Sequence, residues 1–169
     1  MFYPQLETYI NRAIEATSCI SNDRAVLLEP LTNYINHYKA SCRLTFICTH
    51  NSRRSHFGQI WAQIAAIHFG LSDVRTFSGG TEATAFHPNA IAAIQRAGIY
   101  VEPAYESSLP KVRLSFGDQF QAIEVFSKVY DDKANPQKDF AAIMTCAEAD
   151  EGCPAVLGAN IKIPVHYQD

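Results

Sequence analysis

No stretch of this chain approaches the run of about 18 apolar residues that a membrane-spanning helix requires, although 47% of its residues are hydrophobic. The apolar side chains are therefore expected to build a core, with no membrane partner. The opening residues, MFYPQLETYINR, have neither the basic start nor the apolar middle of a secretory signal, so a cytoplasmic location is expected. Positive charge is in short supply: 14 Lys and Arg stand against 17 Asp and Glu, the net charge is -3 and the pI is near 6.0. That excludes the broad basic surface of a nucleic-acid binder, and any anion must be met by a local pocket. Repeats and low-complexity tracts are absent, and 169 residues suit one domain with room for a real core. A secreted disulfide framework is excluded too, because the cysteines are five in number, Cys19, Cys42, Cys48, Cys146 and Cys153. In a reducing compartment such residues are core thiols, metal ligands or catalysts.

The apolar pattern supplies the organisation. From Phe2 to about Lys39, Leu6, Ile10 and Ile14 share one helical face and Leu28, Leu31, Tyr34 and Ile35 another. This predicts two helices with a break near Ser21 to Asp23, a helical extension over residues 1–41. LTFIC (44–48) then reads as a buried strand, and Phe57, Ile60, Trp61, Ile64 and His68 recur at helical spacing over 55–69. VRTFSGG (74–80) reads as a second strand. HPNAIAAIQRAGI (87–99) reads as a helix with Pro88 in its first turn and Gly98 closing it. Alternating runs around Gly117-Asp118 predict a hairpin on the sheet edge, inside an insertion at about 100–139. FAAIMTC (140–146) and IKIPV (161–165) complete the strands. The expected fold is therefore α/β: a mainly parallel four-stranded sheet with helices on both faces, over a core of 43–169.

Cys48 and Cys146 both fall at carboxyl ends of predicted strands, the edge where open α/β sheets bind ligands. After Cys48 the chain reads Thr49, His50, Asn51, Ser52, Arg53, Arg54, Ser55 before the helix begins. A loop of this kind can turn consecutive backbone N–H groups and a helix start into one bowl for a tetrahedral oxyanion. Arg54 would offer two of the oxygens a planar fork, and the positive surroundings would favour the thiolate of Cys48. Asn51 tolerates left-handed backbone, and Ser55 can donate to the thiolate and cap the helix. The plainer alternative, a buried strand-end cysteine followed by solvated arginines, does not account for the strand, loop and helix together.

CTHNSRRS resembles the phosphate-binding loop of the low-molecular-weight protein tyrosine phosphatase superfamily. FSGGTEATAFHPNAIAAIQRAGI resembles the segment that follows it, and the likeness extends over about residues 43–100 and 138–169. It implies Cys48 as nucleophile, Arg54 as oxyanion binder, Asn51 as loop organiser and Ser55 as thiolate stabiliser. His50 and Arg53 depart from the glycine and cysteine of many relatives. The segment MTCAEADEGCPA resembles the redox segment of thioredoxin-coupled arsenate reductases, which share that fold. What this implies is a relay: Cys48 attacks arsenate, Cys146 attacks the Cys48–arsenic adduct to release arsenite, and Cys153 attacks Cys146. Thioredoxin, the electron donor, takes the final disulfide, and no tightly bound cofactor is expected.

Seven residues along a helix span about 10 Å, so the Cys146–Cys153 disulfide would require the segment between them to unwind, with Gly152 and Pro154 assisting. A zinc site lacks a close cysteine pair. Two inert core thiols are the remaining alternative, against which the polar sequence around Cys153 argues. Cys19 and Cys42 read as structural thiols, and His50, His56, His87 and His166 as surface or capping residues. The family's general acid, an aspartate usually followed by proline, corresponds to Asp169 at the end of the chain. Beside arsenate reduction stand two other readings: hydrolysis of phosphotyrosine or aryl phosphates through a phosphocysteine, and an oxyanion-binding module without turnover.

Overall fold

In the computed structural model, residues 1–102 and 111–167 are described. Asp169 and residues 103–110 of the expected insertion lie outside them.

The chain opens with α1 (Pro4–Glu15), started by proline at its first turn, and a short 3-10 turn at Ala16–Cys19 leads to α2 (Asn22–His37). Ser21 caps α2 by accepting the N–H of Arg24 at 3.3 Å, which fixes the helical break where side-chain oxygen can satisfy an orphan amide. There follow β1 (Arg43–Cys48), α3 (Arg54–His68), β2 (Arg75–Gly80) and α4 (Pro88–Arg96). After β3 (Tyr100–Glu102), β4 (Val112–Ser115) and β5 (Ile123–Val125) come β6 (Phe140–Met144), α5 (Ala147–Gly152) and β7 (Ala159–Pro164).

The four longer strands form one parallel sheet in the order β2-β1-β6-β7. β1 lies inside it and is buried from Leu44 to Cys48, which explains its unbroken apolar reading. Leu44 and Phe46 pack with Tyr34, Ala66, Ala141, Ile143 and Ile163, the face covered by α2 and α3. Ile47, Ala142 and Met144 face the other way, against Ala149, Cys153 and Val156 around α5. Full burial of each such leucine, isoleucine or phenylalanine is worth about 1.5–3 kcal/mol. Gly58 lets α3 approach, since a Cβ there would collide with the Phe46 ring.

The insertion departs from expectation. β3, β4 and β5 form a separate antiparallel three-stranded sheet, in the order β3-β4-β5, and do not extend the central one. The reason is apolar: Val112, Leu114, Phe116 and Val125 are buried and join Leu6, Ile10, Ile60, Ile94 and Ile99 in a second core beneath α1, α3 and α4. The segment after β5 meets the central sheet's edge at Gly80, through a bridge at Val129 in which Gly80 N–H donates to Lys128 O and Tyr130 N–H to Gly80 O, both at 2.9 Å.

Cys48 is in register with Gly80 on one side, and Ile47 with Met144 on the other. The loops after β1, β2 and β6 therefore emerge side by side.

Candidate active site

The loop from Cys48 to Arg54 is held from outside by its carbonyls. Thr81 N–H donates to Cys48 O at 3.1 Å, Glu82 N–H to Thr49 O at 3.0 Å and His87 N–H to Ser52 O at 3.0 Å. The carbonyl of His50 accepts the hydroxyls of Thr84 at 3.0 Å and Ser127 at 3.3 Å. A peptide's N–H points opposite to its C=O, so carbonyls turned outward direct the amides of Thr49, His50, Asn51 and Arg53 inward. Gly80 is needed for this embrace, because a Cβ there would meet the carbonyl of Glu82 and the backbone of Asn51 and Thr49.

Asn51 takes a left-handed φ of 43° and is buried. Its Oδ1 accepts the Lys128 N–H at 2.9 Å and its Nδ2 donates to Ser55 Oγ at 2.8 Å. With that oxygen accepting from Asn51, the Ser55 hydroxyl proton is left to point at Cys48 Sγ, 3.0 Å away. Cys48, Thr49, His50, Ser52, Arg53 and Arg54 line one cavity of about 290 Å³ together with Thr84. That is smaller than the ~300–1,000 Å³ of drug-sized ligand sites. Arg54 opens the 15-residue helix α3, whose positive end faces the same space.

A buried polar layer supports the bowl from behind. Ser78 Oγ donates to Gln59 Oε1 at 2.7 Å and lies 3.2 Å from His56 Nδ1. His56 is fully buried against Phe86, 4.2 Å between ring centroids. This corrects its reading as a surface or capping residue: burial, reinforced by the charge of Lys128, lowers its pKa from 6.5 to about 3 and keeps it neutral. Burial likewise lowers Lys128 to about 8. His87 does cap α4, accepting the Asn89 N–H at 3.1 Å. His50 stands at the rim, 3.4 Å from Glu82. Among the described residues no cluster of ligating side chains suits a metal ion.

Cys146 is the N-cap residue of α5 and Cys153 its C-cap. Cys146 Sγ lies 3.6 Å from Thr49 Oγ1, directly beside Cys48's neighbour in the loop. Cys48, Cys146 and Cys153 share one buried cluster, and all three are free thiols. Cys153, only 8% exposed, is therefore in apolar surroundings despite its polar sequence neighbours. Desolvation first, and then Cys153, raise the pKa of Tyr130 beside it. Of the remaining thiols, Cys42 is buried, with its pKa pushed up by burial to about 11, whereas Cys19 is exposed and packs in no core.

Sequence reasoning passed over Thr84, Ser127, Lys128, Glu148 and Lys162. Thr84 and Ser127 act through backbone carbonyls, a role that leaves no spacing signal. Lys162 bonds to α5 from β7: its ammonium lies 2.7 Å from Asp150 Oδ1 and donates to the carbonyls of Asp150 and Cys153 at 2.9 Å.

No family model and no curated protein matches the chain. Solved structures do overlap with it. A low-molecular-weight phosphotyrosine phosphatase from Vibrio cholerae is 14% identical, at a TM-score of 0.45, over 69% of this chain. The chain spans 63% of that phosphatase's length, less than two thirds. An arsenate reductase in its phosphate-binding state overlaps at 18% identity and a TM-score of 0.43, over 76% of each chain. The thioredoxin-dependent arsenate reductase of Corynebacterium glutamicum is 20% identical, at a TM-score of 0.40, over 96% of this chain and 72% of its own. The likeness is partial. What points to an activity is the geometry of the loop and of the cysteines beside it.

Proposed function

We propose that this chain is an arsenate reductase in which Cys48 attacks an oxyanion held by residues 48–55. Electrons reach it through Cys146 and Cys153, with thioredoxin as donor. The observation that carries this reading is the contact between Cys146 Sγ and Thr49 Oγ1, 3.6 Å. It brings a second free thiol beside Thr49, one of the residues that line the cavity of the loop. A phosphatase working through a phosphocysteine needs Cys48 and Arg54 but gives Cys146 and Cys153 no task.

In the first step the Cys48 thiolate displaces an oxygen of arsenate, stabilised by Ser55 and by the inward amides, with Arg54 on the oxyanion. Asp169, in the family's general-acid position, would protonate the departing oxygen. Cys146 then attacks the Cys48 sulfur, and the sulfur–arsenic bond breaks with its electron pair staying on arsenic, which leaves as arsenite. Cys153 attacks Cys146, and the resulting disulfide passes to thioredoxin by exchange. Arsenate-dependent turnover with thioredoxin, abolished in Cys48→Ser, Cys146→Ser and Cys153→Ser alike, is the expected result. Hydrolysis of para-nitrophenyl phosphate that needs only Cys48, with no arsenate turnover, would favour the phosphatase instead. Phosphate binding without either turnover would favour the anion-binding module.

A further inference from the structure

β2 and β5 are each an outer strand of their sheet, and the two sheets are joined at the Gly80–Val129 bridge. Toward the start of β2 they are parted by a cavity of about 670 Å³, lined by residues 75–77 on one side and 119–124 on the other. That volume suits a small molecule, and the cavity shares no lining residue with the one at Cys48. Its charge runs against that of the chain. The protein carries -3 overall, yet Arg75, Lys111 and Lys128 line this cavity against one carboxylate, Glu124. Glu124 is already taken by Lys111, at 3.4 Å. Lys128 is only 5% exposed. Of its three ammonium protons one goes to Phe126 O at 3.3 Å, and the ammonium stands 4.4 Å from the centroid of the Phe126 ring. Among the described residues no carboxylate lies within salt-bridge reach of it. Lys111 stands over the same ring, at 5.1 Å. Burial lowers the Lys128 pKa to about 8, with Asp132 pulling it up and Lys111 down. At neutral pH the group is thus a buried cation, repelled by its neighbour and short of a counter-ion, a costly state that an anion would relieve.

We propose that the cleft between β2 and β5 is a second binding site, for a small organic anion whose acid group is held between Lys128 and Lys111. An inorganic ion would leave most of the cavity unfilled. Phe77, Phe120 and Ile123 line it and are only half-buried, so the molecule that fits carries its acid group on a flat apolar body. The cleft also abuts the support of the loop after β1. Phe126 and Lys128 line the cavity, while Ser127 between them turns to the loop, accepting the Thr84 N–H at 2.9 Å and donating to His50 O at 3.3 Å. The Lys128 N–H holds Asn51 Oδ1 at 2.9 Å. A molecule seated on Lys128 therefore rests on the segment that braces that loop. This second site does not depend on which reaction Cys48 performs.

The test is a titration of the full chain with 2-naphthoate, an acid group on a flat apolar body, followed by amide shifts in nitrogen-15 NMR. Saturable shifts are expected at residues 75–77 and 123–128. 2-Naphthamide, which has the same body without the charge, is expected to bind about tenfold more weakly, and Lys128→Met to weaken 2-naphthoate by a similar factor. Lys111 is exposed, so Lys111→Gln leaves the core intact and gives a second reading of the same loss should Lys128→Met fail to fold. Arg54→Ala, which alters the cavity at Cys48 alone of the two, is expected to leave 2-naphthoate binding as in wild type. Absence of saturable shifts up to millimolar 2-naphthoate overturns the proposal. So does 2-naphthamide binding as tightly as the acid, or affinity unchanged in the lysine variants. Binding that disappears in Arg54→Ala would place the anion at Cys48 and overturn it as well.

Discussion

Lys162 on β7 donates to the backbone carbonyl of Cys153 at 2.9 Å and at the same time grips Asp150, 2.7 Å from its Oδ1. One ammonium thus ties down the end of the helix that separates Cys146 from Cys153. His166 adds a second hold on Asp150 at 2.9 Å, and its own carbonyl accepts from Arg24 of α2 at 2.7 Å. The N-terminal extension is in this way linked to the segment between the two cysteines.

Replacing Lys162 by Met should loosen α5. Hydrogen bonds to charged groups contribute about 1.5–3 kcal/mol each, and these are partly buried. Amide exchange at residues 150–153 should accelerate at least tenfold in Lys162→Met, while exchange in β1 stays slow. Unchanged exchange would show that the clamp is not what holds the segment. The Lys162 hydrogen bond also pulls the Asp150 carboxyl below its usual range. The clamp's contribution is therefore present above the ordinary carboxylate pKa and is lost only as pH falls through the lower folded value.

His56 makes the fold acid-sensitive. Its folded pKa of about 3 lies below the ordinary 6.5, so between those values the unfolded chain binds a proton that the folded chain refuses. Stability should then fall as pH drops below 6.5, by up to about 1.4 kcal/mol per unit from this group. Urea midpoints at pH 7 and pH 5 should differ more in wild type than in His56→Gln. Equal differences would remove His56 from the account.

Gly80 allows the end of β2 to touch the loop after β1. Gly80→Ala should distort the bowl, because the added methyl would meet backbone on three sides. Turnover and phosphate affinity are expected to drop at least tenfold. Phosphate titration at matched folded fractions checks this, and unchanged affinity would contradict it.

Arg54→Lys tests the fork. A lysine keeps the charge but offers no planar pair of donors. Inhibition by phosphate should weaken by about tenfold, near 1.4 kcal/mol. Inhibition equal to wild type would mean charge alone suffices.

The central sheet was legible because β1 and β6 are apolar runs, β7 alternates Ile161 and Ile163 with polar residues, β2 ends in glycines, and α3 and α4 carry clear helical spacing. The antiparallel sheet was legible only as a hairpin. Where Leu114, Phe116 and Val125 go depends on what α1 and α4 leave uncovered, and that is tertiary information. At the site, Cys48 and its loop stood out because strand, polar loop and helix start are adjacent in sequence. His56 was misjudged, since a histidine on an amphipathic helix carries no mark of the buried Ser78 opposite it. Cys153 was misjudged for the converse reason: its acidic neighbours point away while the thiol turns inward. Thr49 and Glu148 meet across 99 positions, and no local pattern announces such a contact.

The central claim is a three-cysteine relay, and it is tested most directly by arsenate-dependent NADPH consumption with thioredoxin and thioredoxin reductase. Wild type is predicted to turn over, and Cys48→Ser, Cys146→Ser and Cys153→Ser each to fail. Turnover that survives loss of Cys146 or Cys153, or wild type that consumes no NADPH while hydrolysing para-nitrophenyl phosphate through Cys48, would contradict it.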